Sequence, residues 1–179
     1  MIFAPISEIE TLRLRLRRLR MEDAENFFRF GSDTEVCRYM LWQPHSSIEE
    51  TGNSIRTSLL RYDTEPYYRW AIALRDSDQL IGMIQLLAFD TDSDSCSFAY
   101  MLSKEHWGNG YGPEALAAAM DFAFREMGIK KITADHFSEN TASGAAMRKA
   151  GMIYTKTIPA KYEKDGKQFD ADQYERLAE

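Results

Sequence analysis

The stretch HWGNGYGPEALAAAMDFAF, His106 to Phe124, sets Gly108, Gly110 and Gly112 at alternate positions directly ahead of an alanine-rich run. Glycine reaches φ > 0 without a Cβ clash and lets another chain or a ligand approach the backbone, but it costs chain entropy on folding. Three of them in five residues therefore mark a loop built for close approach. Pro113 and Glu114 follow, and proline is favoured at the first helical position because its missing N–H would be unpaired there. The glycines run into a helix start, where free N–H groups and the positive end of the helix dipole suit an anion such as a phosphate.

Working outward, Leu116, Met120, Ala123 and Met127 recur at helical spacing, and Gly128 stands where a helix-ending glycine belongs. IKKITADHF then reads as a strand, and ENTASGAAMRKAG as a short helix capped by Asn140 and closed by Gly151. MIYTKTIP, the polar hairpin YEKDGKQF and DADQYERL complete the chain as strands. Upstream, YYRWAIALR, QLIGMIQLLAF and SCSFAYMLS are apolar runs joined by the polar turns RDSD and DTDSD, as in an antiparallel meander.

SSIEETGNSIRTSLLRY is an amphipathic helix capped by Ser46 or Ser47, MEDAENFFRFG a shorter one with Gly31 beyond its end, and SDTEVCRYM a further helical turn or two. TLRLRLRRLR alternates, so Leu12, Leu14 and Leu16 are expected to face a core, with Arg13, Arg15 and Arg17 on a solvated face. The order predicts an α+β fold, a mixed, mostly antiparallel sheet flanked by helices, in one domain spanning 1–179.

With 179 residues, 44% of them hydrophobic, the chain can bury one sizeable core. Its net charge of −6 argues against nucleic-acid binding, which rests on cationic neutralisation of phosphates, and favours a cationic partner. Cys37 and Cys96 stand alone in apolar segments, so buried thiols in a reducing compartment are expected. MIFAPISEIE lacks the basic start and apolar run of a signal peptide, and no stretch approaches the ~20 apolar residues of a membrane span. The expectation is a cytoplasmic protein, monomer or homodimer, with no membrane partner.

The residues carry a resemblance to a known family. WGNGYGPEA resembles the acyl-CoA-binding signature of the GNAT superfamily of N-acyltransferases, with Trp107 at its first position, Gly110 at its fourth and Gly112 at its sixth. Glutamine or arginine usually holds the first position; tryptophan is similar to the branch of the ribosomal-protein N-terminal acetyltransferases RimJ and RimL. ENTASGAAMRKAGM resembles that branch's second signature, with Asn140, Ser143, Lys149 and Gly151 on its N-x-x-S and K-x-G positions. The resemblance spans nearly the whole chain. It implies that the anion is the diphosphate of coenzyme A, held by main-chain N–H groups of Gly108, Asn109, Gly110, Tyr111 and Gly112, with Trp107, Asn140 and Lys149 beside the cofactor. It also implies that SFAYML splays from IKKITADHF, leaving Met101 and Leu102 backbone groups to bond the pantetheine arm.

The implied activity is transfer of an acetyl group from acetyl-CoA to a primary amine, a protein N-terminus or a small molecule, by direct attack in a ternary complex. Such transfer needs a neutral amine, a polarised carbonyl and a proton for the departing thiolate. The tyrosine that many members use for that proton is replaced by Met147, and the resemblance assigns the role to Ser143. The glutamate that many members carry in the strand before the loop is replaced by Ser97. Glu163 is the remaining carboxylate candidate for a base, His136 could relay a proton, and a water chain to solvent could serve instead, since an α-amine with a pKa near ~7.7–8.0 is partly neutral at pH 7. Trp42, Pro44 and His45, with Tyr100, are expected to shape the acceptor pocket. Neither metal-ligand spacing nor a Ser/His/Asp arrangement stands out, so neither a metal nor an acyl-enzyme is expected. The alternative is a catalytically silent acyl-CoA-binding module.

Overall fold

The computed structural model describes residues 1–179. Eight strands form one sheet: β1 (Ile9–Glu10), β2 (Leu14–Arg17), β3 (Tyr68–Leu74), β4 (Leu80–Asp90), β5 (Ser95–Leu102), β6 (Lys131–Phe137), β7 (Ile153–Lys164) and β8 (Lys167–Leu177), in the order β1-β2-β3-β4-β5-β6-β8-β7. Four helices accompany them: α1 (Ala24–Gly31), α2 (Ile48–Thr64), α3 (Tyr111–Met127) and α4 (Thr141–Lys149). The expected mixed, mostly antiparallel sheet with flanking helices is the observed architecture. Only β5 and β6 run parallel, because α3 carries the chain across between them.

Alternation along the strands puts a core on each face of the sheet. Tyr68, Trp70 and Ile72 of β3 join Leu116, Met120 and Ala123 of α3 on one side. Ala71 and Met83 join Phe27, Phe30 and Ile55 of α1 and α2 on the other. Ser47 caps α2, its side chain accepting from the Glu50 N–H. No helix is long and apolar enough to cross a membrane.

Four local expectations are corrected. Leu12 lies before β2 and is 84% exposed, whereas Arg17 is only 3% exposed. Its guanidinium donates in bidentate fashion to Asp23, at 2.9 Å each, and to Asp78 at 3.0 Å, which compensates the burial of the charge. Gly31 is the last residue of α1, with Ser32 at the cap. α3 begins at Tyr111 with Gly110 as its cap, so Pro113 occupies the third helical position, still within the turn whose N–H groups have no helical acceptor. The two late strands and their polar link are one long hairpin turning at Asp165 and Gly166, the glycine at φ 72°.

Candidate acyl-CoA cleft

The parallel pairing of β5 with β6 covers only Ser95, Cys96 and Ser97 against Lys131, Ile132 and Thr133. Beyond Ser97 the strands part, as the resemblance implies, because β5 continues along β4 to Leu102 while β6 follows β8. Into the opening face Tyr100 and Leu102, the loop Trp107–Pro113 and the first turns of α4, around a cleft of about 540 Å³.

Gly108 and Gly110 adopt φ 77° and 80°, a region that strains any residue with a Cβ, which explains their presence. None of the N–H groups from Gly108 to Gly112 finds a main-chain acceptor. Gly108, Gly110, Tyr111 and Gly112, with the N-terminal end of a 17-residue helix, therefore bring uncommitted amides to one wall of the cleft. That is a fitting test for a diphosphate: the donors are present, uncommitted and backed by the helix dipole. Trp107 ties this loop to the sheet, its indole N–H donating to the Leu102 carbonyl at 2.7 Å. Asn109 points its side chain back to the Trp107 carbonyl, at 3.1 Å.

The phase of β5 corrects one residue. Ser103 N–H donates to the Ile81 carbonyl at 2.7 Å, and antiparallel ladders alternate, so Met101 directs its main-chain groups to Met83 of β4. The groups facing the opening are those of Tyr100 and Leu102.

On the opposite wall, Asn140 caps α4 by accepting the Ser143 N–H on its side chain. This sets Ser143, 8% exposed, in the first turn, where its Oγ lies 3.5 Å from the Tyr100 hydroxyl. Burial pushes the Tyr100 phenol above its ordinary range, only partly offset by Ser143, so it keeps its proton. Lys149 lines the far end of the cleft. Met147 is buried beneath α4 in the core.

Other expected residues lie elsewhere. Glu163 is exposed on β7, accepting from Gln168 across the hairpin at 3.0 Å, and does not line the cleft. Its neighbours Tyr162 and Lys164 hold the inward positions: Tyr162 stacks on Phe137 with ring centres 4.5 Å apart, and Lys164 donates to the Cys37, Arg38 and Met40 carbonyls. His136 is 6% exposed and roofed by α4; a Cβ on Gly144 would stand 2.7 Å from its Nε2. It therefore does not open onto the cleft. Trp42 and His45 pack against each other with tilted rings 5.2 Å apart, and His45 against Phe27 at 5.0 Å, so they cover α1 and do not line the cleft. That end of the cleft is lined by Glu35, Val36, Arg38, Tyr39 and Met40, on a 3₁₀ turn that the sequence presented as a plain helical turn.

An acetyltransferase (GNAT) domain model matches residues 13–153. The chain belongs to the GNAT acetyltransferase family. Among curated proteins it is similar to the uncharacterized N-acetyltransferase YoaA of Bacillus subtilis, 31% identical over 166 residues that cover 93% of this chain and 94% of the relative. A GNAT-family acetyltransferase structure from Bacillus anthracis shares the fold with a TM-score of 0.86 at 22% identity, covering 96% of this chain and 98% of that one. The structure of RimL, a ribosomal L7/L12 alpha-N-protein acetyltransferase in complex with coenzyme A, does so with a TM-score of 0.82 at 18% identity, covering 96% and 98%. This GNAT member is an N-acetyltransferase, and its cleft lies between the two strands that part.

Proposed function

We propose that this GNAT protein transfers the acetyl group of acetyl-CoA to a primary amine by direct attack in a ternary complex. The observation that carries the reading is that the uncommitted amides of Gly108, Gly110, Tyr111 and Gly112 share one cleft with Ser143 and Tyr100. The loop amides and the end of α3 hold the diphosphate, the main-chain groups of Tyr100 and the Leu102 N–H align the pantetheine arm like an added strand, and Asn140 and Lys149 flank it. The cosubstrate supplies the thioester.

Ser143 donates a proton to the departing sulfur, and the protonated Tyr100 hydroxyl supports Ser143 from across the opening. Glu163 points outward, Ser97 stands in the strand, and Glu35 at the acceptor end of the cleft is paired with Lys104, so in this reading solvent takes the amine's proton. The acceptor enters past Tyr39, Met40 and Arg38. The W-G-x-G-Y and N-x-x-S signatures, together with the likeness to RimL, support placement in the RimJ/RimL branch and hence a free N-terminus as one acceptor class. The net charge of −6 favours a cationic acceptor.

The test is thiol release from acetyl-CoA in the presence of a panel of polyamines, amino acids and short peptides with free N-termini. Release that depends on one amine class supports the proposal; tight coenzyme A binding without release for any amine would identify a silent binding module. Cys37 and Cys96 do not confound the assay, since burial pushes their thiols up to about 11 and about 12.

A further inference from the structure

Arg13 stands in the bend just before β2, where the alternating pattern predicts a solvated side chain, yet each nitrogen of its guanidinium is engaged. Nη1 donates to the Asn109 carbonyl at 2.8 Å, and Nε and Nη2 each reach Glu114 Oε2 at 2.7 Å. The other Glu114 oxygen accepts from the Arg13 main-chain N–H at 2.9 Å and from the Thr11 hydroxyl at 2.6 Å. The guanidinium also covers the Tyr111 ring, 4.6 Å from its centre.

In a trans peptide the C=O and the following N–H point in opposite directions. Holding the Asn109 carbonyl on Arg13 therefore turns the Gly110 N–H the other way, and the Gly110 carbonyl, bonded by the Glu114 N–H at 3.2 Å, does the same for Tyr111. We propose that Arg13, through Glu114 and Asn109, is a positioning residue that aims the loop amides at the diphosphate of coenzyme A. It has a second effect: its charge neutralises the Glu114 carboxylate, which would otherwise repel an anion in the first turn of α3. The inference rests on the reading of the cleft as a coenzyme A site.

A substrate lacking the diphosphate separates this role from a general structural one. Arg13→Met keeps the aliphatic stem and removes every donor. Coenzyme A affinity, by calorimetry, and kcat/KM for acetyl-CoA are expected to fall about tenfold or more. The kcat/KM for S-acetylpantetheine, which carries no diphosphate, is expected to stay within twofold of the parent enzyme. Arg13→Lys, which keeps the charge and loses the planar fork that reaches Asn109 and Glu114 together, is expected to repeat the pattern more weakly and serves if Arg13→Met does not fold. Coenzyme A affinity unchanged in a folded variant, or an equal loss with both thioesters, overturns the positioning role. An unaltered protein that binds no coenzyme A at all overturns the cleft reading itself, and the clamp with it.

Discussion

Ser143 owes its place to Asn140: the cap fixes the first turn of α4, and the turn presents the hydroxyl to Tyr100 across the parted strands. A proton donor acts in the transition state more than in binding, so Ser143→Ala is expected to lower kcat by about 10²-fold or somewhat less while leaving acetyl-CoA affinity within a few-fold. Steady-state kinetics beside calorimetry decide it; a collapse of affinity with kcat intact would make Ser143 a cofactor-positioning group. Glu163→Gln is expected to change neither parameter, and turnover should rise with pH as the acceptor amine itself loses its proton. A large loss in Glu163→Gln with binding preserved would restore a carboxylate base. At this scale the position of Ser143 in the cleft and the cap at Asn140 were legible, one through the resemblance and one through capping. Glu163 and Arg17 were not, because alternation names a face only while the register holds: β7 slips against β8 between Ile158 and Tyr162, and Arg17 has carboxylates waiting on its supposedly wet side.

Among the elements, α4 is the one whose seating decides the site. Its Gly144 rests on β6 and β8, where an added Cβ would stand 2.7 Å from His136 and 2.9 Å from the Tyr174 hydroxyl, two rings stacked at 5.6 Å with no room to withdraw. Gly144→Ala is expected to cost about 1–3 kcal/mol in denaturant unfolding, as overpacking does, and to lower turnover by shifting Ser143. The same substitution made beside His136→Ala is expected to cost less than the two single costs combined; strict additivity would show that the contact is not the cause. The helix starts, the meander and the glycine loop were readable because caps, turns and φ > 0 leave local marks. The length of the β5–β6 pairing was not, since where two strands part depends on which neighbour each follows. Trp42 and His45 misled for a related reason: aromatic residues in a loop seek apolar cover wherever it lies, and here that cover is Phe27.

For the whole molecule, carboxylates that join distant segments set the response to acid. Burial alone would raise Glu114 and Asp78, but the Thr11 hydroxyl and Arg13 hold Glu114 below its ordinary range, and Arg17, Arg20 and Arg15 do so for Asp78. A depressed folded-state pKa stabilises above the unfolded value and is lost as pH falls through the folded one. Melting temperature is thus expected to be flat from pH 7 to about 5 and to drop below about 4, the ordinary carboxylate range. Asp78→Asn should lower the plateau and soften the drop; an unaltered acid slope in that variant would remove Asp78 from the account. The loop amides, α3 and the parted strands together make the claim that this molecule holds a diphosphate on its main chain. Calorimetry of coenzyme A against the unaltered protein and Gly112→Glu, whose side chain would start beside Tyr100 on the cleft wall, with Gly112→Ala as the control for the added carbon, tests it most directly. The account predicts binding by the unaltered protein, weakened binding by Gly112→Ala and none by Gly112→Glu, whereas undiminished affinity in a folded Gly112→Glu would contradict it.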